Sequence, residues 1–426
     1  MTAQCIRFTI ATGLLAALAA TQADASWSAW RGADGTGVAA GSPPTTWGED
    51  QNIKWKVDLP GLGISTPVSW GGRLYMTTAV QGAEEDGAKS ASNSYEFRVL
   101  CIDRADGGIV WSKAVSHAVP YAKIHPTNSQ AATSPVTDGE RIYAHLGSRG
   151  LYCLDMNGDV LWSRQFDEMK LNEQFGGGAS PALAGKALII NWDHDGDSFI
   201  YALNKMTGKE LWQKPRDEVA TWATPAVTKV GSKTLAIVPA SGKSRAYDVK
   251  SGKVVWEVSG LTSNVIPSPV VVDGVAYLMS GYRGTALQAI ELKGAKGDLA
   301  GSKNVLWTHN RQTPYVPSGL VYKGCLYFLR NTKSVLSCLD AKTGEVHYEG
   351  QRLRGLRDVY ASPVAAAGNV YIASRGGQVK VIKAGPTYVE VATNSLDDEF
   401  DASPIVIGDE LYLRGRKSLY CIAAKD

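Results

Sequence analysis

The sequence has little of what marks a membrane protein, a nucleic-acid-binding protein or a conventional enzyme. Lys and Arg (44) nearly balance Asp and Glu (41), so the formal net charge is only +3, too small for generic binding to a polyanion. Metal-binding helix motifs, nucleophile elbows and phosphate loops are missing, and the 6 histidines are scattered. These absences predict no nucleic-acid partner and no common catalytic motif.

Long hydrophobic runs are also missing, apart from a short one at the start. Residues 1–25 resemble a secretory signal, in which Arg7 precedes an apolar run and small residues lead to a cleavage point before Ser26. The run is shorter than the roughly 20 residues of a membrane span. Cys5 precedes the run, so a lipid anchor after it is not predicted. We expect an exported protein, periplasmic or secreted, with residues 26–426 as one domain.

What the chain does contain is a repeat. A small hydroxyl residue followed by proline recurs at steps of mostly about 44 residues, the length of four short strands with their turns. The repeat residues are Thr66, Ser134, Ser180, Thr224, Ser268, Ser318, Ser362 and Ser403, of which Ser318 alone is followed by Gly. Each unit continues with glycine-containing turns between short apolar strands. The pattern predicts an all-β, eight-bladed propeller of four-stranded antiparallel blades.

A tryptophan column and the two chain ends support this interpretation. Large rings at one place in successive blades would pack the blades together, and this structural docking role is predicted for Trp55, Trp111, Trp162, Trp212, Trp256 and Trp307. The eighth unit ends without its last strand. The segment 52–57, which contains Trp55, is strand-like and lies ahead of the first unit. We expect it to complete the last blade and to leave no open sheet edge.

Five cysteines follow the signal segment. Cys101, Cys153, Cys338 and Cys421 share one column of the repeat, so we expect them in separate blades as small buried side chains. Cys325 lies close enough in sequence to Cys338 for the two to share a hairpin. The register of that hairpin, and with it their disulfide state, is left open by the sequence.

The repeat is similar to that of the PQQ-like family, which includes quinoprotein dehydrogenases and the BamB outer-membrane-assembly propellers. The similarity rests on the eight copies and on the segment 202–212, Ala-Leu-Asn-Lys-Met-Thr-Gly-Lys-Glu-Leu-Trp, with its relatives in other units. It implies an eight-bladed propeller whose functional face carries the loops between second and third strands. It does not select a chemistry, because one fold serves many functions.

Those loops are rich in arginine. One arginine falls between the second and third strands of each of six units, namely Arg149, Arg245, Arg283, Arg330, Arg375 and Arg414. Guanidinium groups around one mouth would attract carboxylates, phosphates or sulfates. The alternative is that solvated loops are simply polar.

One unit carries carboxylates in this loop instead. Asp193, Asp195 and Asp197 alternate along the chain, a spacing that can bring oxygen ligands onto a hard cation, although the loop is not an EF-hand. A turn paired with neighbouring arginines is the alternative. His194 in the same loop, and Trp192 and Trp222 outside the docking column, are candidate ligand-binding residues.

Three functions remain open at this stage. The first is a binding or scaffold protein, expected to be a monomer without a cofactor, that presents a basic loop face to an envelope protein partner or an anionic small molecule. The second is a PQQ-dependent oxidoreductase with calcium; against it stand the lack of an adjacent cysteine pair and the short loops. The third is carbohydrate binding through Trp192 or Trp222.

Overall fold

The computed structural model describes residues 26–82, 94–119, 124–171 and 175–424. The predicted signal segment lies outside these ranges. So do residues 83–93, in the first unit of the repeat, which the sequence marks as an insertion rich in Glu, Lys, Ser and Gly. Within them, no helix is long and apolar enough to cross a membrane.

The described chain forms eight antiparallel sheets, arranged as the blades of a propeller. Blades 1 to 4 take the following strands in chain order: β2 (Val68–Trp70), β3 (Arg73–Gln81), β4 (Tyr95–Asp103) and β5 (Ile109–Ala118); β6 (Val136–Thr137), β7 (Arg141–His145), β8 (Leu151–Asp155) and β9 (Val160–Arg164); β10 (Ala182–Ala184), β11 (Ala187–Trp192), β12 (Ser198–Asn204) and β13 (Glu210–Arg216); β14 (Ala226–Val230), β15 (Lys233–Val238), β16 (Ser244–Asp248) and β17 (Val254–Val258). A short 3-10 helix, Gly147–Arg149, connects β7 to β8.

Blades 5 to 8 repeat the arrangement. Their strands are β18 (Val270–Val272), β19 (Val275–Ser280), β20 (Ala286–Glu291) and β22 (Val305–His309); β23 (Leu320–Tyr322), β24 (Cys325–Leu329), β25 (Val335–Asp340) and β26 (Val346–Arg352); β27 (Val364–Ala366), β28 (Asn369–Ala373), β29 (Gln378–Lys383) and β30 (Glu390–Ser395); β31 (Ile405–Ile407), β32 (Glu410–Arg414), β33 (Ser418–Ile422) and the early strand β1 (Ile53–Asp58). A further short strand, β21 (Gly297–Asp298), adds to the edge of blade 4 in parallel with β17.

The predicted propeller and its closure are confirmed. β1 pairs antiparallel with β33, and Trp55 lies opposite Cys421 in the ladder. The sheet order β1-β33-β32-β31 therefore joins the two ends of the chain in one blade. Strand β1 therefore supplies the fourth strand that blade 8 lacks in its own unit of the repeat, and the sheet of blade 8 is complete.

The docking tryptophans bind the next blade through a hydrogen bond and a close ring contact. Five of them donate the indole N–H to a backbone carbonyl in the last turn of the following blade at 2.8 to 3.2 Å. The ring then covers a glycine of that turn, where a Cβ would come within 2.5 to 2.9 Å of the indole. Trp256 differs, because its N–H is buried without a partner and blade 5 has a longer connection in place of the tight turn.

The repeated hydroxyl residues form a closed ring around the channel. The backbone N–H of each one donates to the side-chain oxygen of its counterpart in the next blade, at 2.8 to 3.1 Å, through all eight blades and back from Ser403 to Thr66. Proline cannot donate such a bond, so it follows the hydroxyl residue rather than replacing it. This hydroxyl ring is the physical reason for the motif that divides the sequence.

The five cysteines are buried and free. Cys325 pairs with Asp340 and Cys338 with Tyr327 across one hairpin, so the two cysteines are diagonal neighbours rather than direct partners. In this structure they do not form a disulfide.

The segment before β1 crosses the channel. Residues 26–52, called the strap below, bond to blades 1 and 2 through Trp27 and Ser28 and to blade 7 through Ala39. Between these contacts, the buried Arg31 guanidinium donates to the carbonyl oxygens of Gly319 and Pro363. The strap is thereby held inside the ring of blades, and the adjacent Trp30 reaches the channel cavity.

Candidate functional site

The channel opens into a cavity on the face that carries the loops between second and third strands. This chamber has a volume of about 340 Å³ and is lined by the hydroxyl ring except Ser318, by the connections that lead into the blades, and by Trp30 of the strap. Connections that lead into all eight blades converge there, and a concave site of this kind is where a ligand is expected.

Aromatic rings form much of the chamber wall. On one side, Phe175 packs between His125 at 4.8 Å and Trp222 at 6.1 Å, measured between ring centroids. Trp222 is fixed by its indole N–H, which donates to the Gly176 carbonyl at 2.7 Å. On the other side, Tyr282 stacks on Tyr315 with centroids 4.8 Å apart and an interplanar angle of 26°. The chamber therefore offers flat apolar faces above a polar ring.

The acidic group in this wall is neutralised by arginines. Asp401 is almost fully buried and forms ion pairs with Arg375 and, at 2.9 Å, with Arg416. Arg416 also pairs with Glu399 at 3.2 Å. The Arg375 guanidinium lies 3.5 Å from the centroid of the Tyr360 ring. Two arginines thus balance two carboxylates, and Asp401 presents no uncompensated charge to the chamber.

The six loop arginines lie outside the lining of the chamber, although Arg375 contacts Asp401 and Arg283 lies 5.2 Å over the ring of Tyr282. The chamber wall itself therefore does not contain the predicted guanidinium groups. Whether the individual arginines bind a ligand stays a prediction.

Two of these arginines are structural by their contacts. Arg414 is buried and donates to Ser65 and Thr77, tying blade 8 to the start of blade 1, and desolvation lowers its pKa to about 9. Arg245 is buried between Asp217, Glu218 and Glu257. In both cases the guanidinium group bonds to residues of the chain itself.

Two others remain at the periphery. Arg149 ends the short 3-10 helix and donates to the Val119 carbonyl. Arg330 is exposed in the loop between β24 and β25 and belongs to a groove of about 590 Å³ with Lys333, Arg352 and Arg354. The ladder pair of Val335 with Arg352 brings these two segments together. We call this set the basic groove.

The predicted metal loop does not gather its carboxylates. Asp193 is buried and forms a bidentate pair with Arg216, at 2.7 and 3.1 Å, and accepts a third bond from Thr221. Burial alone lowers the pKa of Arg216, but Asp193 more than offsets it, and the pKa is raised. Asp195 and Asp197 are exposed. No cluster of three or more His, Cys, Asp or Glu suited to a metal occurs in the described ranges.

The neighbouring aromatic candidates have different positions. Trp192 is 1% exposed and packs flat on Phe166, with centroids 4.6 Å apart, so it has no face for a ligand. His194 is buried beside it; its Nδ1 accepts the N–H of Gly196 at 2.8 Å, and desolvation lowers its pKa. Of the three residues, Trp222 is the one that the structure places in the chamber.

Several important residues were missed in the sequence. Trp30 and Arg31 lie outside the repeat, and no periodic signal marks them. Tyr282, Tyr315 and Tyr360 occupy connections, where aromatic residues interrupt otherwise small and polar segments. That interruption is the signal that sequence reasoning had available and did not use.

The residues of the chamber do not fit PQQ. The cofactor is a tricarboxylate and needs cationic donors, whereas no Lys or Arg is among the described lining residues. The one lining carboxylate, Asp401, is held by two arginines, so it does not offer the oxygen ligands that calcium prefers. The arrangement suits an uncharged ligand better than an anion.

The fold and the repeat define the class of this chain as a PQQ-like repeat propeller. A family model described as outer membrane protein assembly factor BamB matches residues 95–349 and 196–426. The chain belongs to that family.

Individual relatives divide between assembly and dehydrogenase proteins. The chain is 24% identical over 259 residues to outer membrane protein assembly factor BamB of Shewanella oneidensis, covering 54% of this chain and 62% of that protein. It is 24% identical over 292 residues to a polyvinylalcohol dehydrogenase of a Sphingopyxis species, covering 54% of this chain and 44% of that protein. The matches span less than two thirds of either relative.

A solved structure supports the fold. A europium-containing methanol dehydrogenase aligns with a TM-score of 0.67 at 10% identity, covering 93% of this chain and 98% of that chain. At this identity the similarity concerns the propeller alone.

Proposed function

We propose that this chain is an exported binding protein of the cell envelope, which docks an acidic segment of a protein partner in the basic groove of blade 6. The observation that carries the proposal is the charge of that groove. Arg330, Lys333, Arg352 and Arg354 line it, and no carboxylate is among its lining residues.

The groove contrasts with the other arginine sites of the same face. Arg245, Arg375 and Arg416 are each held by carboxylates of the chain itself. Within the described residues, Arg330, Arg352 and Arg354 have no ion pair, and Lys333 meets Asp358 only at 3.4 Å with both side chains largely exposed. Since like charges brought together cost free energy, such a cluster is stabilised by an external anion.

A protein segment is the favoured occupant for two reasons. Guanidinium forks match carboxylates in bidentate geometry, and a groove of about 590 Å³ is larger than a single inorganic anion requires. The family is also described by the name of an outer membrane protein assembly factor, and such a role favours a protein partner over a free anion. The predicted signal at residues 1–25 supports an envelope location.

The test is binding of a polyglutamate peptide to the purified chain from residue 26 onward, measured by fluorescence anisotropy. Arg330→Gln with Arg354→Gln should weaken binding by about tenfold, because exposed charge pairs contribute about 1 kcal/mol or less each. Added salt should weaken it further. A matched control replaces Lys209 and Lys253, exposed in turns of the opposite face, and should leave binding unchanged. Equal loss in both double variants would overturn the proposal.

A second arm separates docking from oxidoreductase function. PQQ and calcium are added to the same protein, and the melting temperature and the reduction of an artificial dye are recorded. We expect neither a thermal shift nor turnover, because the chamber lacks cationic donors for the cofactor. Turnover that depends on PQQ would favour the dehydrogenase relatives instead.

A further inference from the structure

We propose that the chamber at the channel mouth binds a neutral sugar ring. This site is separate from the basic groove, and the inference does not depend on the proposed docking function. It is carried by three features of the chamber: unused hydroxyl donors, flat aromatic walls, and the lack of uncompensated charge.

The hydroxyl ring supplies the donors. Each ring oxygen accepts one backbone N–H from the preceding blade, for example Ser134 from Thr66 and Ser180 from Ser134, both at 2.9 Å. These bonds use lone pairs and leave each hydroxyl proton free to donate, and the structure shows no acceptor for it among the described residues. Ser134 and Ser180 are no more than 5% exposed, and both line the chamber. A ligand with several oxygen acceptors would satisfy these protons together.

The aromatic walls supply the complementary surface. A sugar ring has a face of C–H groups that packs on a flat aromatic ring, while its hydroxyls point outward at the edge. Trp222 and the stacked pair Tyr282 and Tyr315 present such rings above the hydroxyl ring. Trp222 is held in place by its bond to Gly176, so its orientation is set before any ligand arrives, which reduces the entropic cost of binding.

Charge excludes the other classes of ligand. An anion would find no lysine or arginine in the described lining, and a cation would find only Asp401, whose oxygens are already paired with Arg375 and Arg416. A purely apolar ligand would cover the ring hydroxyls without accepting from them, which costs free energy. An uncharged molecule with both hydroxyl groups and C–H faces meets all these conditions, and about 340 Å³ is within the usual size of a small-ligand site.

The experiment titrates the purified chain with the methyl glycosides of glucose, galactose, mannose and N-acetylglucosamine and with the disaccharides maltose and cellobiose. Binding is measured by isothermal calorimetry and by saturation-transfer NMR. Trp222→Phe and Tyr282→Ala are the chamber variants. Tyr388→Ala, a half-buried tyrosine beside Glu390 and outside the chamber, is the matched control, and each variant is first checked for its melting temperature.

We expect millimolar or tighter binding of at least one probe, weakened about tenfold by Tyr282→Ala and unchanged by Tyr388→Ala. Binding of a monomeric glycoside would assign a free sugar as the ligand, and binding of a disaccharide alone would assign the end of a glycan; both support the inference. The absence of binding by all six probes, or binding that both folded chamber variants retain, would overturn it. Neither result depends on polyglutamate binding at blade 6.

Discussion

The pH dependence of stability can be tested at one buried histidine. His145, at the end of β7, is 2% exposed and lies against the rings of Trp192 and Phe166, with centroid distances of 5.5 and 5.9 Å. Its Nδ1 bonds to the Ala179 carbonyl at 3.3 Å, while Nε2 is buried without a partner. A second proton on this ring would therefore have no acceptor in the described surroundings.

The magnitude follows from the pKa. Burial lowers the pKa of His145 from 6.5 to about 4, and the carbonyl bond offsets only part of this effect. Above pH 6.5 the ring is neutral in both states. As the pH falls from 6.5 towards 4, the unfolded chain binds a proton that the folded chain does not, so folding stability is lost. The full loss is about 3 kcal/mol, since each unit of pKa shift corresponds to about 1.4 kcal/mol.

The assay compares urea unfolding of the wild-type chain and of His145→Leu at several values between about pH 7 and about pH 4. The variant lowers stability at neutral pH by a constant packing cost, but the difference between the two proteins should shrink by about 3 kcal/mol as the pH falls. Other titrating groups cancel in this difference. A constant difference between wild type and His145→Leu would refute the reasoning.

Two further predictions concern the contacts between blades. Gly208→Ala should destabilise the chain by about 2 kcal/mol more than Gly185→Ala in thermal unfolding. Both glycines have positive φ (68° and 64°), but only at Gly208 does the Trp162 ring lie within 2.5 Å of the new Cβ. Equal losses of stability in the two variants would contradict this prediction. Ser134→Ala should lower the free energy of unfolding by about 1 to 3 kcal/mol, because it leaves the Thr66 N–H buried without an acceptor. Ser134→Thr should keep the hydrogen bond and most of the stability. Calorimetric unfolding of both variants tests the prediction.

The fold could be predicted because its signals are local and repeated. Each hydroxyl residue bonds to its counterpart in the following blade, and the docking tryptophans other than Trp256 pack on a turn glycine of the following blade. Because the same residues recur in each unit, the pattern is visible in a single sequence. Even the closure could be inferred, since the missing strand of the last unit and the extra strand around Trp55 are both visible in sequence. The one docking site that departs from the pattern, Trp256, lies where blade 5 has an insertion.

The candidate site could be predicted only in part, because the state of a side chain depends on partners far away in sequence. Arg414 ends strand β32 and is buried against Ser65 and Thr77, whereas Arg330 directly follows strand β24 and is exposed in the basic groove. Likewise Asp193 looks like a metal ligand in its own loop and is instead matched by Arg216 from the next strand but one. Position in the repeat determines where such a residue lies in its blade, whereas residues that are distant in sequence and close in space determine whether its charge is paired.

The pairing of Ile53–Asp58 with Ser418–Ile422 has a consequence for biogenesis. Strand β1 is synthesised long before the hairpin of β32 and β33 with which it pairs, so a growing chain carries two unpaired sheet edges until that hairpin is made. Loss of β33 would leave β1 without a partner as well. A cell that makes this protein therefore has reason to keep the nascent chain shielded until that hairpin is available.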